Sequence, residues 1–480
     1  MNRHRRHIAL LYRGPQQEGR DEFSDFVPVG LFYVLNSLLA AGYRASLHNL
    51  SATPRRGLAA AVRATGADLV LLSSFYGAHH QAFLLADLVR RQLPGRQVVL
   101  GGPISLLAGE ILARVPAVDF VVRGEGEESV PRLADALLLG KGDPAGIAGV
   151  FFRAGDRMHG RPPELLADLD RHLFLPSALL PHCHGVRPEN FAVLISSRGC
   201  PYRCSFCSSA SLWQNRLRRH DPALLIRYLA DLRQATGSLY FSMRDENFLA
   251  GRAHVLRFCS LLRESGLSYL WNTQGSAAFI DDELAGQLAA AGCDQVQMGI
   301  ETVSPRLQRL LAKEIDPASV MGAAASLRRQ AIRPFGYFIY GMGESDGEIR
   351  ENLDFIGNSG LLDAVASPLV HYPGTPLAAD LDADRFFAAG EMLLYDPAGA
   401  RRLRPRYEAA LTRLATRGGF RKGELSTGES RHAVEAVARY YGLLQKGDAT
   451  KAARVLQEYG RHHPADPWPG YLLGQMDGRR

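Results

Sequence analysis

From His7 to about residue 139, apolar runs of five or six residues alternate with longer stretches whose apolar side chains recur at three- and four-residue spacing. Short apolar runs read as buried strands, and the longer periodic stretches as amphipathic helices. HIALLY, ASLHNL, DLVLLSS, QVVLGG and the start of DFVVRGEGEES therefore predict five strands. VGLFYVLNSLLAAGY, RRGLAAAVRATG, QAFLLADLVRRQLPG and SVPRLADALLLG predict helices between and after them. Such alternation specifies an α/β fold with a doubly wound parallel sheet. Ligands of that fold bind where loops leave the carboxyl ends of the strands.

A second pattern begins at Phe191. FAVLIS, SLYFSMRD, YLWNTQG, QVQMGIE, RPFGYFIYG and AVASPLV read as six strands with helices between them, for example DPALLIRYLADLRQATG and DDELAGQLAAAG. Six strand-helix units predict a partial TIM-type barrel, with its chemistry at the strands' carboxyl ends. FFRAGDRMHGRPPELLADLD and the Pro- and His-containing stretch after it read as a hairpin and a linker. Beyond Leu377 only helical segments follow, the last two being a pair joined by a Gly-Asp turn. A lone helix pair buries little, so this tail should dock on the barrel. The expected division is residues 1–150, a linker over 151–190, a barrel over 191–380 and a helical region over 381–480.

The chemistry is concentrated in SSRGCPYRCSFC, directly after the strand FAVLIS. Cys200, Cys204 and Cys207 stand at C-x3-C-x2-C, a spacing that lets a loop turn three thiolates toward one point. Soft thiolates select iron-sulfur clusters, and a cubane is usually held by four cysteines. Three local cysteines would leave one iron of a four-iron four-sulfur (4Fe-4S) cluster open to a chelating amine and carboxylate. The alternatives are a structural zinc site, with Cys183 of PHCHG and His182 or His184 as further ligands, or core thiols that fall close together.

Here the chain resembles the radical S-adenosylmethionine (SAM) enzymes, whose signature has this spacing with an aromatic residue before the last cysteine, here Phe206. The resemblance implies that the open iron binds the methionine end of SAM and that one electron from the cluster cleaves it to a 5'-deoxyadenosyl radical. It also implies SAM contacts at Asp245 and Glu246 in the DENF motif, at Glu301 in GIET, and at Gly341 in YFIYGMGE. Any single acid here could instead cap a helix. Further upstream, LGGP and VVRGEGE resemble the Rossmann-like cobalamin-binding domain of one large class of these enzymes. That likeness implies cobalamin contacts at Ser73, Ser74 and Phe75, at Gly101, Gly102 and Pro103, and at Gly124, Glu125 and Gly126. Glycines at such loops let the backbone approach a flat ligand. One departure matters: the D-x-H-x-x-G string that supplies a histidine to cobalt is absent. Cobalamin is therefore expected base-off with no protein histidine below cobalt, and His79 and His80 read as the start of a helix.

The resemblance covers residues 8 to 380 and implies a cobalamin-dependent methyltransferase acting on an unactivated carbon of a natural-product or peptide substrate. Alternatives are a radical SAM cyclase or rearrangement enzyme, and a non-catalytic iron-sulfur or cobalamin redox sensor. The expected partners are that substrate and an electron donor for the cluster.

Composition changes this picture little. A hydrophobic fraction of 46% and a charged fraction of 22% are those of a globular enzyme. The net charge of +7 comes with five lysines against 51 scattered arginines, which argues against a nucleic-acid surface. Six cysteines do not make a disulfide framework, and no apolar run reaches membrane-spanning length. The expected location is the cytoplasm.

Overall fold

The computed structural model describes residues 3–16, 26–388, 393–417, 420, 424, 433–445 and 447–477. Part of RGPQQEGRDEF, after the first strand, and the start of SRHAVEAVARYYGLLQKG lie outside the described residues. In chain order the elements begin with β1 (His7–Tyr12), α1 (Val29–Ala40), β2 (Arg44–Asn49), α2 (Leu58–Ala64), β3 (Leu69–Ser73), α3 (His79–Gln92) and β4 (Gln97–Gly101). There follow α4 (Ala108–Arg114), β5 (Phe120–Val122), α5 (Gly126–Leu139), β6 (Val150–Ala154), β7 (Arg157–Gly160), α6 (Pro176–Leu179) and β8 (Cys183–His184). Next are β9 (Val193–Leu194), β10 (Ser197–Arg198), α7 (Ser209–Trp213), β11 (Arg218–Arg219), α8 (Pro222–Thr236), β12 (Tyr240–Met243), α9 (Arg252–Glu264) and β13 (Leu270–Gly275). The chain continues through α10 (Asp282–Ala290), β14 (Cys293–Glu301), α11 (Pro305–Leu311), α12 (Pro317–Arg329), β15 (Arg333–Tyr340), α13 (Asp346–Asn358) and β16 (Asp363–Pro368). The last helices are α14 (Ala383–Ala388), α15 (Pro397–Arg417), α16 (Ala433–Gln445), α17 (Ala449–His462) and α18 (Trp468–Asp477).

The chain forms two compact units. The first comprises Met1–Phe191, Phe206–Gln214 and His371–Leu393; the second comprises Ala192–Ser205, Asn215–Val370 and Leu394–Arg480.

In the first unit the strand order is β7-β6-β5-β4-β3-β1-β2-β8. Its parallel centre, 2-1-3-4-5, has its switch between β1 and β3. All six residues of β1 are buried because helices cover both faces of the sheet. Ala9, Leu11, Val70, Leu72, Val98 and Leu100 pack under Leu85 and Val89 of α3 and Ile111 of α4. Residues 151–190, read as hairpin and linker, build both edges of this sheet. β6 and β7 add an antiparallel hairpin beside β5, and β8 pairs in parallel with β2 at Leu47–Cys183 and His48–His184.

The second unit holds six parallel strands in the order β16-β15-β14-β13-β12-β9, which is the partial barrel. Its outer face is aromatic: Phe241 stacks on Trp271 at 5.5 Å, and Phe258 and Phe248 meet the same indole edge-on. The FAVLIS run yields only the two residues of β9, because Pro188–Ala192 turns as a 3-10 helix. Helix ends follow local signals. Asp221 caps α8 before Pro222 and Gly237 ends it in the left-handed conformation, while Ser345 and Glu348 make a capping box on α13.

The tail docks on the barrel. Tyr407 of α15 stacks on Tyr340 at 4.9 Å, and Tyr441 of α16 lies 4.4 Å from the guanidinium of Arg333, the first residue of β15. α16 thus sits at the amino ends of the strands, away from the end where barrel chemistry is expected. No described helix is long and apolar enough to cross a membrane.

Candidate functional site

The loop that carries the cysteines is anchored by a buried carboxylate. Asp245, fully buried after β12, accepts from the Ser196 N–H and from the Ser196 and Ser197 hydroxyls, each at 2.6 Å. Burial pushes the Asp245 carboxyl up to about 6, against those three hydrogen bonds. Both oxygens are thereby committed to holding the strand before the cysteines. Gly199 then takes φ +96° and donates its N–H to Glu246 at 3.2 Å, and Ser205 donates from backbone and side chain to Leu311 and Leu310. DENF thus fixes the loop from two successive residues.

Cys200 and Cys204 belong to the second unit and Cys207 to the segment Phe206–Gln214 of the first; all three are half-buried thiols outside any disulfide. Burial pushes the Cys200 thiol up and Glu246 adds to it, while the Tyr202 N–H, Lys313 and Asn247 pull it back. Within the second unit, therefore, Cys200, Glu246, Asn247 and Lys313 share one neighbourhood. Among the described residues no three His, Cys, Asp or Glu side chains gather tightly enough for a single ion. A cubane asks for something else, one thiolate per iron at separate corners, and three thiols on a short pinned loop fit that demand. Cys183 is elsewhere, on an edge strand of the first sheet, with its thiol pushed up to about 12 by burial.

At the end of β14 the strand pairing with β15 shifts between Gly299 and Glu301, and Glu301 adopts φ +61°. A non-glycine residue held there stores strain. Its carboxylate accepts from Lys313 at 2.7 Å, both groups being largely buried. A Cβ on Gly299 would stand 2.6 Å from that carboxylate and 2.7 Å from the ammonium, so any larger residue here would displace the ends of both side chains.

At the end of β15, Glu344 accepts from the Gly341 and Met342 N–H groups at 2.8 and 2.9 Å. Gly341, φ +79°, faces Ala400 of α15, which a Cβ would meet at 3.2 Å. Its glycine therefore serves helix packing.

In the first unit the loops after β3, β4 and β5 lie side by side. Gly102 has φ +83°, and a Cβ there would meet the Ser73 hydroxyl at 2.6 Å and the Ser74 carbonyl at 2.7 Å. Loop-on-loop packing demands this glycine. Gly124 (φ +82°) abuts Pro163, Gly126 abuts Val34 of α1, and the buried Glu125 carboxylate accepts from the Leu166 N–H at 2.7 Å. Much of the GEGE turn thus ties down the chain that follows the sheet. Gly101 is in ordinary contact with Val122, Pro103 opens a short 3-10 turn, and Phe75 is 46% exposed. Phe75 follows β3, beside the β1/β3 switch where ligands of such sheets bind. Phe206 is half-buried in the same unit as Tyr372 of HYPGTPL, which sits close enough to Cys207 to feel its charge and packs on Tyr76 at 5.1 Å.

His79 opens α3 as expected, yet it is a core residue: fully buried, stacked on Phe386 of α14 at 4.9 Å, with neither ring nitrogen hydrogen-bonded. Sequence reasoning missed Lys313 and the Ser196–Ser197 anchor. The scarcity of lysine was the one available signal for Lys313; the serines carried none.

Residues 194–356 match the Radical SAM superfamily, and residues 23–134 match the B12 binding domain. The chain thus carries a radical SAM domain and a B12-binding domain. An uncharacterized methyltransferase of Pyrococcus horikoshii is 28% identical over 65% of this chain and 68% of its own length. An anaerobic magnesium-protoporphyrin IX monomethyl ester cyclase of Synechocystis is 27% identical over 68% of this chain and 64% of its own, so the chain spans about two thirds of these relatives. Among solved structures, the radical SAM methyltransferase TsrM from Kitasatospora setae, with cobalamin and an iron-sulfur cluster bound, superposes with a TM-score of 0.71. The match covers 95% of this chain and 99% of that one at 17% identity, which establishes a shared fold. The cobalamin-dependent radical enzyme OxsB, with aqua-cobalamin bound, gives 0.62 over 92% of this chain and 66% of its own, at 15% identity.

Proposed function

We propose that this protein is a cobalamin-dependent radical SAM methyltransferase acting on an unactivated carbon of a small molecule or peptide. The observation that carries the reading is that a radical SAM domain with its three-cysteine loop and a B12-binding domain occur in one chain. When bound, a cluster with one open iron supplies the electron that cleaves SAM, and cobalamin supplies the methyl group.

The roles of this chain's residues follow from their placement. Cys200, Cys204 and Cys207 hold the cluster, on a loop kept in place by Asp245 and Glu246. Glu301 and Lys313, locked to each other beside Cys200, hold polar atoms of SAM. Of the residues after β15, Gly341 supports this only through Glu344 and the packing of α15. In the first unit the exposed Phe75, with Ser73, Ser74 and Gly101, receives the corrin face; Gly102, Pro103, Gly124, Glu125 and Gly126 shape those loops. An external electron donor reduces the cluster.

The test is anaerobic reconstitution followed by product analysis. Wild type yields 5'-deoxyadenosine, and S-adenosylhomocysteine alongside it once substrate is present. Replacing Cys200, Cys204 or Cys207 by Ala removes most bound iron and sulfide, whereas Cys183→Ala retains them; equal loss at Cys183 would sink the open-iron assignment. Cleavage without S-adenosylhomocysteine moves the reading to ring formation, the reaction named for the cyclase relatives. No cleavage with cluster and SAM both bound leaves a redox sensor. With no D-x-H-x-x-G string in the sequence, the cobalt(II) protein is expected to show EPR lines without axial nitrogen splitting; splitting refutes the base-off form.

A further inference from the structure

The inside of the barrel is polar. Tyr240 and Ser242 of β12, Asn272 of β13 and Gln295 of β14 hydrogen-bond across neighbouring strands or along one strand, while the alternate residues Phe241, Met243 and Trp271 are buried on the outer side. At the amino ends of the strands this interior is closed by an ion pair. Arg333 donates to Asp294 at 2.6 Å, and Tyr240 donates to the other Asp294 oxygen at 2.9 Å.

Near the carboxyl ends lies a cation with different company. Arg244 directly follows β12 and donates one guanidinium N–H to Gln297 Oε1 of β14 at 2.8 Å. A bond from β12 to β14 passes over β13, so it runs across the concave face. The same Gln297 oxygen accepts from the Tyr337 hydroxyl of β15 at 2.8 Å, and the Gln297 amide donates to Gln295 at 2.8 Å. Gln297 is thereby fixed in orientation, and it fixes Arg244. Among the described residues no carboxylate lies within 4 Å of this guanidinium, although Lys313, Arg306, Arg328 and Arg333 of the same unit are each paired with an acid. Arginine has five donors in a planar fork, and one neutral acceptor engages one of them. A half-buried, pre-aimed guanidinium of this kind is suited to two-point binding of an oxyanion.

We propose that Arg244 anchors an oxyanion of the substrate, a carboxylate or a phosphate, and so restricts the substrates of this barrel to acidic small molecules or acidic groups of larger ones. This rests on the function proposed above and names its substrate class. Gln297 and Tyr337 are positioning residues that hold the fork.

The experiment is crystallographic, on the full chain loaded with cluster and SAM. Crystals are soaked separately in bromide, acetate and inorganic phosphate. Bromide is expected as an anomalous peak on the Arg244 guanidinium in the wild type and lost in Arg244→Met. The acetate and phosphate soaks decide which oxyanion geometry the fork accepts, and Arg244→Lys is expected to lose two-point binding while keeping the charge. A guanidinium left empty in all three wild-type soaks overturns the proposal, as does the carboxylate of SAM itself seated on Arg244. Because the wild type alone gives the deciding result, a variant that fails to fold does not shelter the idea. A wild type that binds SAM without ever releasing 5'-deoxyadenosine overturns the radical reading, and does so whatever the soaks show.

Discussion

Glu301 concentrates the strain of the second unit's site. It is held at φ +61°, at a break in strand pairing, with its carboxylate against Lys313. The pairing partner matters as much as the acid, because removing one member of a largely buried ion pair leaves the other charged and desolvated. Gly299→Ala should force both side chains to shift, since its Cβ would stand within 2.7 Å of the carboxylate and ammonium. The expected outcome is a SAM affinity lowered about tenfold, roughly 1.4 kcal/mol, read by equilibrium dialysis on reconstituted protein. Unchanged affinity would mean that Glu301 and Lys313 do not contact SAM. Asp245 shows the opposite case, an acid whose chemistry is structural: its carboxyl is pushed up to about 6 by burial, and both oxygens serve the cysteine loop.

At the scale of elements, α3 and α14 meet through one histidine. Burial, with a smaller contribution from His80, lowers the His79 imidazole to about 4, and Phe386 and Phe83 pack on its ring. The folded state therefore binds a proton less readily than the unfolded chain, whose histidine titrates near 6.5. The stability this gives is fully present above about pH 6.5 and is lost as pH falls toward 4. His79→Phe should fill the same space without a titrating group. It is expected to flatten the fall in melting temperature between about pH 6.5 and 4, measured by calorimetry; a variant as acid-sensitive as wild type would place that sensitivity elsewhere. The helix pair α16 and α17 illustrates a second rule, that an amphipathic pair becomes stable by covering something. Here Val434, Val437, Tyr440, Leu456 and Tyr459 are buried.

For the whole molecule, the tail's position separates its two possible roles. α16 lies over the amino ends of the barrel strands, with Tyr441 on Arg333, and Ser268 before β13 donates to Asp466 after α17 at 3.0 Å. Removing residues 433–480 would take away the buried side chains of these helices, Trp468 among them, and expose the end of the barrel that they cover. The truncated chain is expected to melt about 10 °C lower or to be insoluble. A truncated protein of unchanged melting temperature that had lost only substrate turnover would instead assign the tail to the substrate entrance.

The sequence by itself determined the two sheets, because the run lengths and periods of apolar residues are set by burial on one or both faces, and that signal is local. It also determined the cysteine loop, since C-x3-C-x2-C is a spacing within one short segment. Tertiary structure alone decided what the glycines and acids at the strand ends do. Gly102 answers to Ser73 and Ser74, Gly341 to Ala400, and Asp245 to Ser196 and Ser197, partners between 28 and 59 positions away that no local pattern encodes. The edge strands in residues 151–190 were hidden for a related reason. A strand of two to five residues on a sheet edge gains its hydrogen bonds from a distant neighbour, and its own sequence need not alternate cleanly. Arg244 is the clearest instance: the sequence shows one arginine among 51, and only the crossing from β12 to β14 reveals that it faces the barrel's interior, with no acid within 4 Å among the described residues.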